Sequence, residues 1–236
     1  LVAAMAARAE GALPQAVTGI SIDTRSLEPG DAFFAITGEA RNGHDFVDAA
    51  LEKGAALTVV DEAHAARFAG KGALAVVPDV LKAMERAGSA RRAALKAGVV
   101  AVTGSVGKTG TKEALRLALS ADGETHASAA SYNNHWGVPL SLARCPADVK
   151  YAVFEIGMNH AGEITPLVKM VRPHVAIVTT VEPVHLEYFG SVEKIADAKA
   201  EIFLGLEPDG AAVINRDNPQ YERLAAAAKA AGVNHI

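Results

Sequence analysis

The sequence predicts an α/β protein: a small N-terminal α/β domain, then a larger domain built on a mainly parallel sheet with helices on both faces. Three observations carry that expectation. After Gly98 the chain runs strand, loop, helix four times over. Its strands are short apolar runs without polar alternation, which is how strands covered on both faces read. Ahead of residue 97 similar runs recur on a smaller scale.

In the first part, apolar runs at 17–22, 32–36, 57–60 and 73–77 alternate with helical stretches at 46–53 and 62–68. Residues 79–97 have helical apolar spacing, and Arg86, Arg91, Arg92 and Lys96 read as its solvated face. The expected organisation is a first domain at 1–83, a connecting helix at 84–97 and a second domain at 98–236. In the second domain the strands are 99–103, 151–156, 175–180 and 211–214; the helices are 108–120, 163–171, 192–204 and 219–230.

Composition limits the partners. Half of the 236 residues are apolar and 21% are charged, enough for two modest cores. A formal charge of −4 gives no basic face for nucleic acid or an anionic membrane, so neither is expected as a partner. No apolar run reaches the roughly 18–20 residues that span a bilayer. The lone cysteine, Cys145, has no partner for a disulfide and reads as a small core residue, which points to a reducing cytoplasm. An opening Leu1 leads to the expectation that native sequence precedes it, and a monomer is expected.

The segment Val99-Val-Ala-Val-Thr-Gly-Ser-Val-Gly-Lys-Thr109 carries the most chemistry. A buried strand ends at Thr103, a loop of Gly104, Ser105, Val106 and Gly107 follows, and Lys108-Thr109-Gly110 opens a helix. Glycines let the loop N–H groups turn inward, the helix start favours negative charge, Lys108 supplies a cation, and the Thr109 hydroxyl suits Mg²⁺. This is a P-loop-type triphosphate cradle for ATP. It departs from the general pattern, which has a glycine where Val102 stands, and Gly110 occupies a position where Ser or Thr is usual.

Four further segments are ambiguous singly. Ser131-Tyr-Asn-Asn-His-Trp-Gly-Val-Pro139 offers Asn133 and Asn134, but asparagines there also serve as caps. In Tyr151-Ala-Val-Phe-Glu-Ile-Gly-Met-Asn-His160, Glu155 stands at the C-terminal end of a buried strand, where open parallel sheets build sites and where a carboxylate facing the loop can hold a metal. Val184-His-Leu-Glu-Tyr-Phe-Gly-Ser191 carries His185, which alone reads as a structural histidine. Asp197-Ala-Lys-Ala-Glu-Ile-Phe203 carries Lys199, which alone reads as a solvated helix lysine.

The ordered set Thr-Gly-x-x-Gly-Lys-Thr, Asn-Asn-x-x-Gly-Val-Pro, Glu-x-Gly-x-Asn-x-x-Gly-Glu-Ile, His-Leu-Glu-x-Phe-Gly-Ser and Lys-x-Glu-Ile-Phe resembles the central domain of the Mur ligase family. Upstream, the run from Ser21-Ile-Asp-Thr-Arg to Asn42-Gly-His-Asp-Phe46 is similar to the family's N-terminal domain, which holds the uridine nucleotide substrate. Within the family the resemblance is to the member that joins D-alanyl-D-alanine to a UDP-linked muramoyl tripeptide. The member that adds the third amino acid tends to show Glu-x-Ser-Ser-His where this chain has Glu155-Ile-Gly-Met-Asn159.

The resemblance implies that Thr109 and Glu155 hold one Mg²⁺ and that His185 and Lys199 hold a second, with Lys199 as a carbamate formed with CO₂. It implies an acyl phosphate made from ATP and the tripeptide carboxylate and captured by the D-Ala-D-Ala amine, with Lys108, His185 and Lys199 as catalytic groups. Asn133, Asn134, Asn159 and His160 are expected substrate or phosphate contacts. Thr24, Arg25, Asn42 and His44 are expected at the uridine diphosphate. The resembled family has a third domain that receives the amino-acid substrate, so the expectation is a central domain incomplete at its C-terminus and a chain that does not ligate unaided. A generic P-loop NTPase and a non-catalytic nucleotide- or UDP-sugar-binding module are the competing readings.

Overall fold

The computed structural model describes residues 1–129, 132–184 and 186–236. They form two compact units, Leu1–Ala90 and Arg91–Ile236.

In the first unit three of the four apolar runs become parallel strands β3 (Ala32–Phe34), β4 (Leu57–Asp61) and β5 (Leu74–Val77). Strand β2 (Ile20–Ser21) pairs with β3, and β1 (Arg8–Glu10) pairs antiparallel with β5, giving the order β1-β5-β4-β3-β2. The sheet is thus mixed. β1 was not legible in the sequence because Arg-Ala-Glu has neither an apolar run nor alternation; its charged residues suit an edge strand. Helix α1 (Val2–Met5) precedes it, and the run at 17–22 shortens to the two residues of β2. A 3-10 turn at Gly43–Phe46 leads into α2 (Val47–Glu52), and α3 (Ala65–Phe68) lies between β4 and β5. Phe33, Val47, Ala50, Phe68, Leu74 and Val76 form the core. Helix α4 (Val80–Ala94) follows, and the division between the units falls within it.

The second unit has strands β6 (Gly98–Thr103), β7 (Thr125–Ala127), β8 (Tyr151–Glu155), β9 (Val175–Val178) and β10 (Ala211–Ile214), all parallel, in the order β10-β9-β6-β8-β7. Its helices are α5 (Lys108–Ser120), α6 (Gly137–Ala143), α7 (Ile164–Val171), α8 (Leu186–Phe189), α9 (Val192–Ala200) and α10 (Tyr221–Ala230). The chain leaves β6 for the edge at β7, returns to β8, then crosses to β9 on the other side of β6. Parallel crossovers are right-handed, so reversing direction puts α5 on one face and α6, α7 and α9 on the other. The core agrees: Ala101, Phe154, Ala176 and Val178 pack with Val138, Leu142, Ile164, Val168 and Ile195 from those three helices. Small residues on the strands let the helices approach closely.

Strand order also reverses at β6, and a crevice opens beyond the strand ends at such a point. Register places Val102 beside Glu155 and Thr103 beside Val178. The loop after β6, the end of β8 and the exit of β9 therefore meet there. Helix 192–204 of the sequence reading ends at Ala200 and tightens into a 3-10 turn, Glu201–Gly205. Among the described residues no helix is long and apolar enough to cross a membrane.

Candidate functional site

The glycine loop is held open by backbone conformations and by a wall the sequence reading did not identify. Gly104 (φ +150°) and Gly107 (φ +86°) adopt positive φ, which glycine tolerates without steric cost. A Cβ on Gly104 would also stand 1.9 Å from Thr179 Oγ1. Thr179 donates its hydroxyl to the Val106 carbonyl at 2.6 Å. Ser105 N–H donates to Thr180 O at 2.8 Å, and Ser105 Oγ both donates to Glu182 O and accepts from Glu182 N–H. Asn218, buried after β10, donates to Thr180 Oγ1 and Val181 O. Residues 179–182 leave β9 as an irregular segment, and most of their contacts to the loop involve main-chain atoms. The only signal in the sequence was a pair of threonines at a strand exit.

Helix α5 starts immediately after Gly107, at Lys108. The Lys108 ammonium folds back onto the loop, donating to the Gly104 carbonyl at 2.8 Å. Burial pushes its pKa below the usual lysine value, opposed by the Glu155 carboxylate. Glu155 is 1% exposed at the end of β8. It accepts from Thr109 Oγ1 at 2.9 Å and from Asn133 Nδ2 at 2.7 Å. Asn133 fits because Gly157 has no side chain: a Cβ there would lie 2.8 Å from Asn133 Oδ1.

The two neighbouring asparagines divide the readings left open by the sequence. Asn133 joins Glu155, whereas Asn134 accepts from the N–H groups of Trp136 and Gly137 at the start of α6, a cap-like use.

Lys199, on α9, is 4% exposed rather than solvated. Burial pushes its pKa down to about 7, with the Lys108 ammonium adding to the shift. The Lys108 ammonium thus acts on Lys199, and the buried Glu155 carboxylate acts on Lys108. His185 lies outside the described residues. Asn159 and His160 are exposed on the loop after β8, where the Glu163 carboxylate accepts from Asn159 N–H and pairs with His160 Nδ1 at 3.0 Å. Gly110 is exposed on α5 and a Cβ there meets nothing within 4 Å. Gly110→Ala is therefore expected to raise stability by about 0.5–1 kcal/mol. Urea unfolding would read it as a higher midpoint at unchanged slope; an unchanged or lower midpoint contradicts it.

The four candidates in the first unit are mostly engaged in local structure. Arg25, with a side chain 86% exposed, forks onto Asp23 at 2.6–3.0 Å and holds that carboxyl below its usual pKa. The Thr24 carbonyl accepts from Lys53 Nζ. Asn42 Oδ1 accepts from Thr37 Oγ1, His44 N–H and His44 Nδ1, fixing the turn before the 3-10 segment. His44 is wholly buried, its Nε2 accepts the Asp61 N–H, and burial lowers its pKa. His44, Asp61 and His64 cluster closely enough to suggest a metal site. Their geometry opposes it. The two imidazoles stack 3.9 Å apart at 16°, so lone pairs lying in near-parallel ring planes do not converge on one ion.

Comparison with known proteins agrees with this architecture. Residues 102–236 match the Mur ligase middle domain, and residues 16–92 match the Mur ligase family, catalytic domain. A UDP-N-acetylmuramoyl-tripeptide–D-alanyl-D-alanine ligase of Escherichia coli is 40% identical over 86% of this chain and 44% of its own length. The ligase of the same name from Rickettsia prowazekii is 36% identical over 92% of this chain and 48% of its own. The chain spans about half the length of the curated relatives it matches. Among solved structures, MurF from Acinetobacter baumannii superposes with a TM-score of 0.85 at 34% identity, covering 97% of this chain and 50% of that one. With two family domains matched in order across most of its length, the chain belongs to the Mur ligase family.

Proposed function

We propose that the chain supplies the ATP-binding and UDP-substrate-binding parts of a ligase that joins D-alanyl-D-alanine to UDP-N-acetylmuramoyl-tripeptide. The observation that carries the reading is the meeting of Lys108, Thr109, Glu155 and a buried Lys199 at the switch point of a parallel sheet. The names of the relatives support the particular reaction.

The chain's own groups suit the task. Loop N–H groups and the start of α5 present partial positive charge to a triphosphate, and Lys108 adds a full one. Thr109 and Glu155 form the hard oxygen donor set that Mg²⁺ takes, and the bound ion would neutralise charge between phosphate and carboxylate. Asn133 and the buried end of β8 keep the Glu155 oxygens aimed at Thr109. Lys199 fits the carbamate reading because a pKa near 7 leaves much of the amine neutral, and only the neutral amine adds CO₂. The first unit is assigned the UDP-substrate, with Thr24 and Arg25 as its accessible candidates; Asn42 and His44 shape the adjoining turn.

In the protein carrying this chain, phosphate release from ATP is expected to require UDP-muramoyl tripeptide and D-Ala-D-Ala, and to accompany pentapeptide product detected by mass spectrometry. Release that ignores the UDP-substrate would overturn the reading in favour of a general NTPase. Binding of both nucleotides without product would favour a binding module.

A further inference from the structure

Glu201 is unused in the reading above. It stands two residues after Lys199 and opens the 3-10 turn Glu201–Gly205. Its carboxylate is half-buried and engaged on both oxygens: Oε1 accepts from Gly162 N–H at 2.6 Å, and Oε2 from Thr165 N–H at 2.9 Å and Thr165 Oγ1 at 2.8 Å. These donors surround the start of α7, where backbone N–H groups have no partner within the helix and an anion is favoured. The carboxylate comes from a segment nearly 40 residues away, so it ties two elements together rather than closing one.

The other end of the turn is registered on the same helix. A Cβ on Gly205 would lie 2.4 Å from the Val168 carbonyl, so the turn lies flush on α7 there. α7 in turn continues from β8 through the loop 156–163, and β8 ends at Glu155. Residues two apart on a helix are rotated by two steps of about 100° and so point about 160° apart. While Glu201 grips α7, Lys199 is therefore presented on the opposite side, towards Lys108, the first charged group acting on it.

We propose that Glu201 is a positioning residue: by clamping the start of α7 it fixes the placement of Lys199 relative to Glu155, and so the spacing of the two metal-binding halves of the site. The inference rests on the assignment of Glu155 and Lys199 to metal-dependent nucleotide binding.

The test compares Glu201→Ala, Glu201→Gln and Lys199→Ala in the full chain. ATP affinity is measured by calorimetry with EDTA and then across a Mg²⁺ series. A residue that only stabilises the fold would lower the thermal midpoint without moving the Mg²⁺ requirement. Glu201→Ala is expected to keep the metal-free ATP affinity within about twofold but to raise the half-saturating Mg²⁺ concentration on the order of tenfold, the usual scale for groups that orient ligands. Glu201→Gln, which keeps an acceptor and the shape, is expected to fall between parent and Ala. An unchanged Mg²⁺ requirement in both Glu201 variants, with Lys199→Ala still raising it, overturns the positioning role alone. An unchanged requirement in Lys199→Ala overturns the underlying assignment, and the positioning role with it.

Discussion

Lys108→Ala should leave the protein folded and remove its stabilisation by ATP·Mg²⁺. Among the described residues the side chain donates to its own loop, and burial lowers its pKa, so deleting it relieves a desolvated cation rather than opening a core. Its ammonium is the one full positive charge carried by the loop itself. Stabilisation by a ligand follows the ratio of its concentration to Kd, about 2.7 kcal/mol at a hundredfold excess. Losing a charge-assisted contact of roughly 1.5–3 kcal/mol weakens binding by on the order of ten- to a hundredfold and consumes most of that shift. Differential scanning fluorimetry at fixed ATP·Mg²⁺ is the measurement. A variant stabilised as strongly as the parent would remove the phosphate-loop assignment, and with it the basis for the proposed reaction.

The same site shows which interactions sequence patterns carry. The parallel sheet was legible because strands covered on both faces must be continuously apolar, and Glu155 stood out as the one charge within the four strand runs read in the second domain. Gly104 and Gly107 were legible because backbone at positive φ narrows the choice of residue. The wall at 179–182 was not. Most of its contacts to the loop are made by main-chain donors and acceptors, which leave almost no trace in residue identity. β7 was missed for a related reason: Thr125-His-Ala127 is half-buried at a sheet edge, where periodicity demands little. Asn133 and Asn134 could not be separated beforehand because each can cap or contact a ligand. What divides them is tertiary, namely the absence of a side chain at Gly157. Lys199 is the sharpest case, since an amphipathic helix with a lysine ordinarily sends the ammonium to water. Here α9 and the turn after it are buried along Ala198, Lys199, Ala200 and Ile202, so the lysine is enclosed rather than solvated.

That burial leads to the second large expectation, an opposition between stability and activity at Lys199. Its pKa is lowered from 10.5 to about 7, so the unfolded chain binds the proton more tightly than the folded one. The destabilisation is therefore complete below about pH 7 and is relieved as pH rises towards 10.5, where stability should increase. At one pH unit per 1.36 kcal/mol the full effect is on the order of 5 kcal/mol, an upper figure because the site can relax. Lys199→Met, similar in length and without the charge, is expected to raise the urea midpoint at pH 7 and to abolish pentapeptide formation in the protein carrying this chain. Lys199→Ala is expected to be equally inactive but to regain part of its turnover with added formate or acetate, whose carboxylate can occupy the vacated space as the carbamate would. Formate or acetate should give Lys199→Met nothing, since its side chain fills that space. A Lys199→Ala protein that ligates at the parental rate without added carboxylate would show that no anion is needed at this position, and the buried lysine would then have to be explained by packing alone.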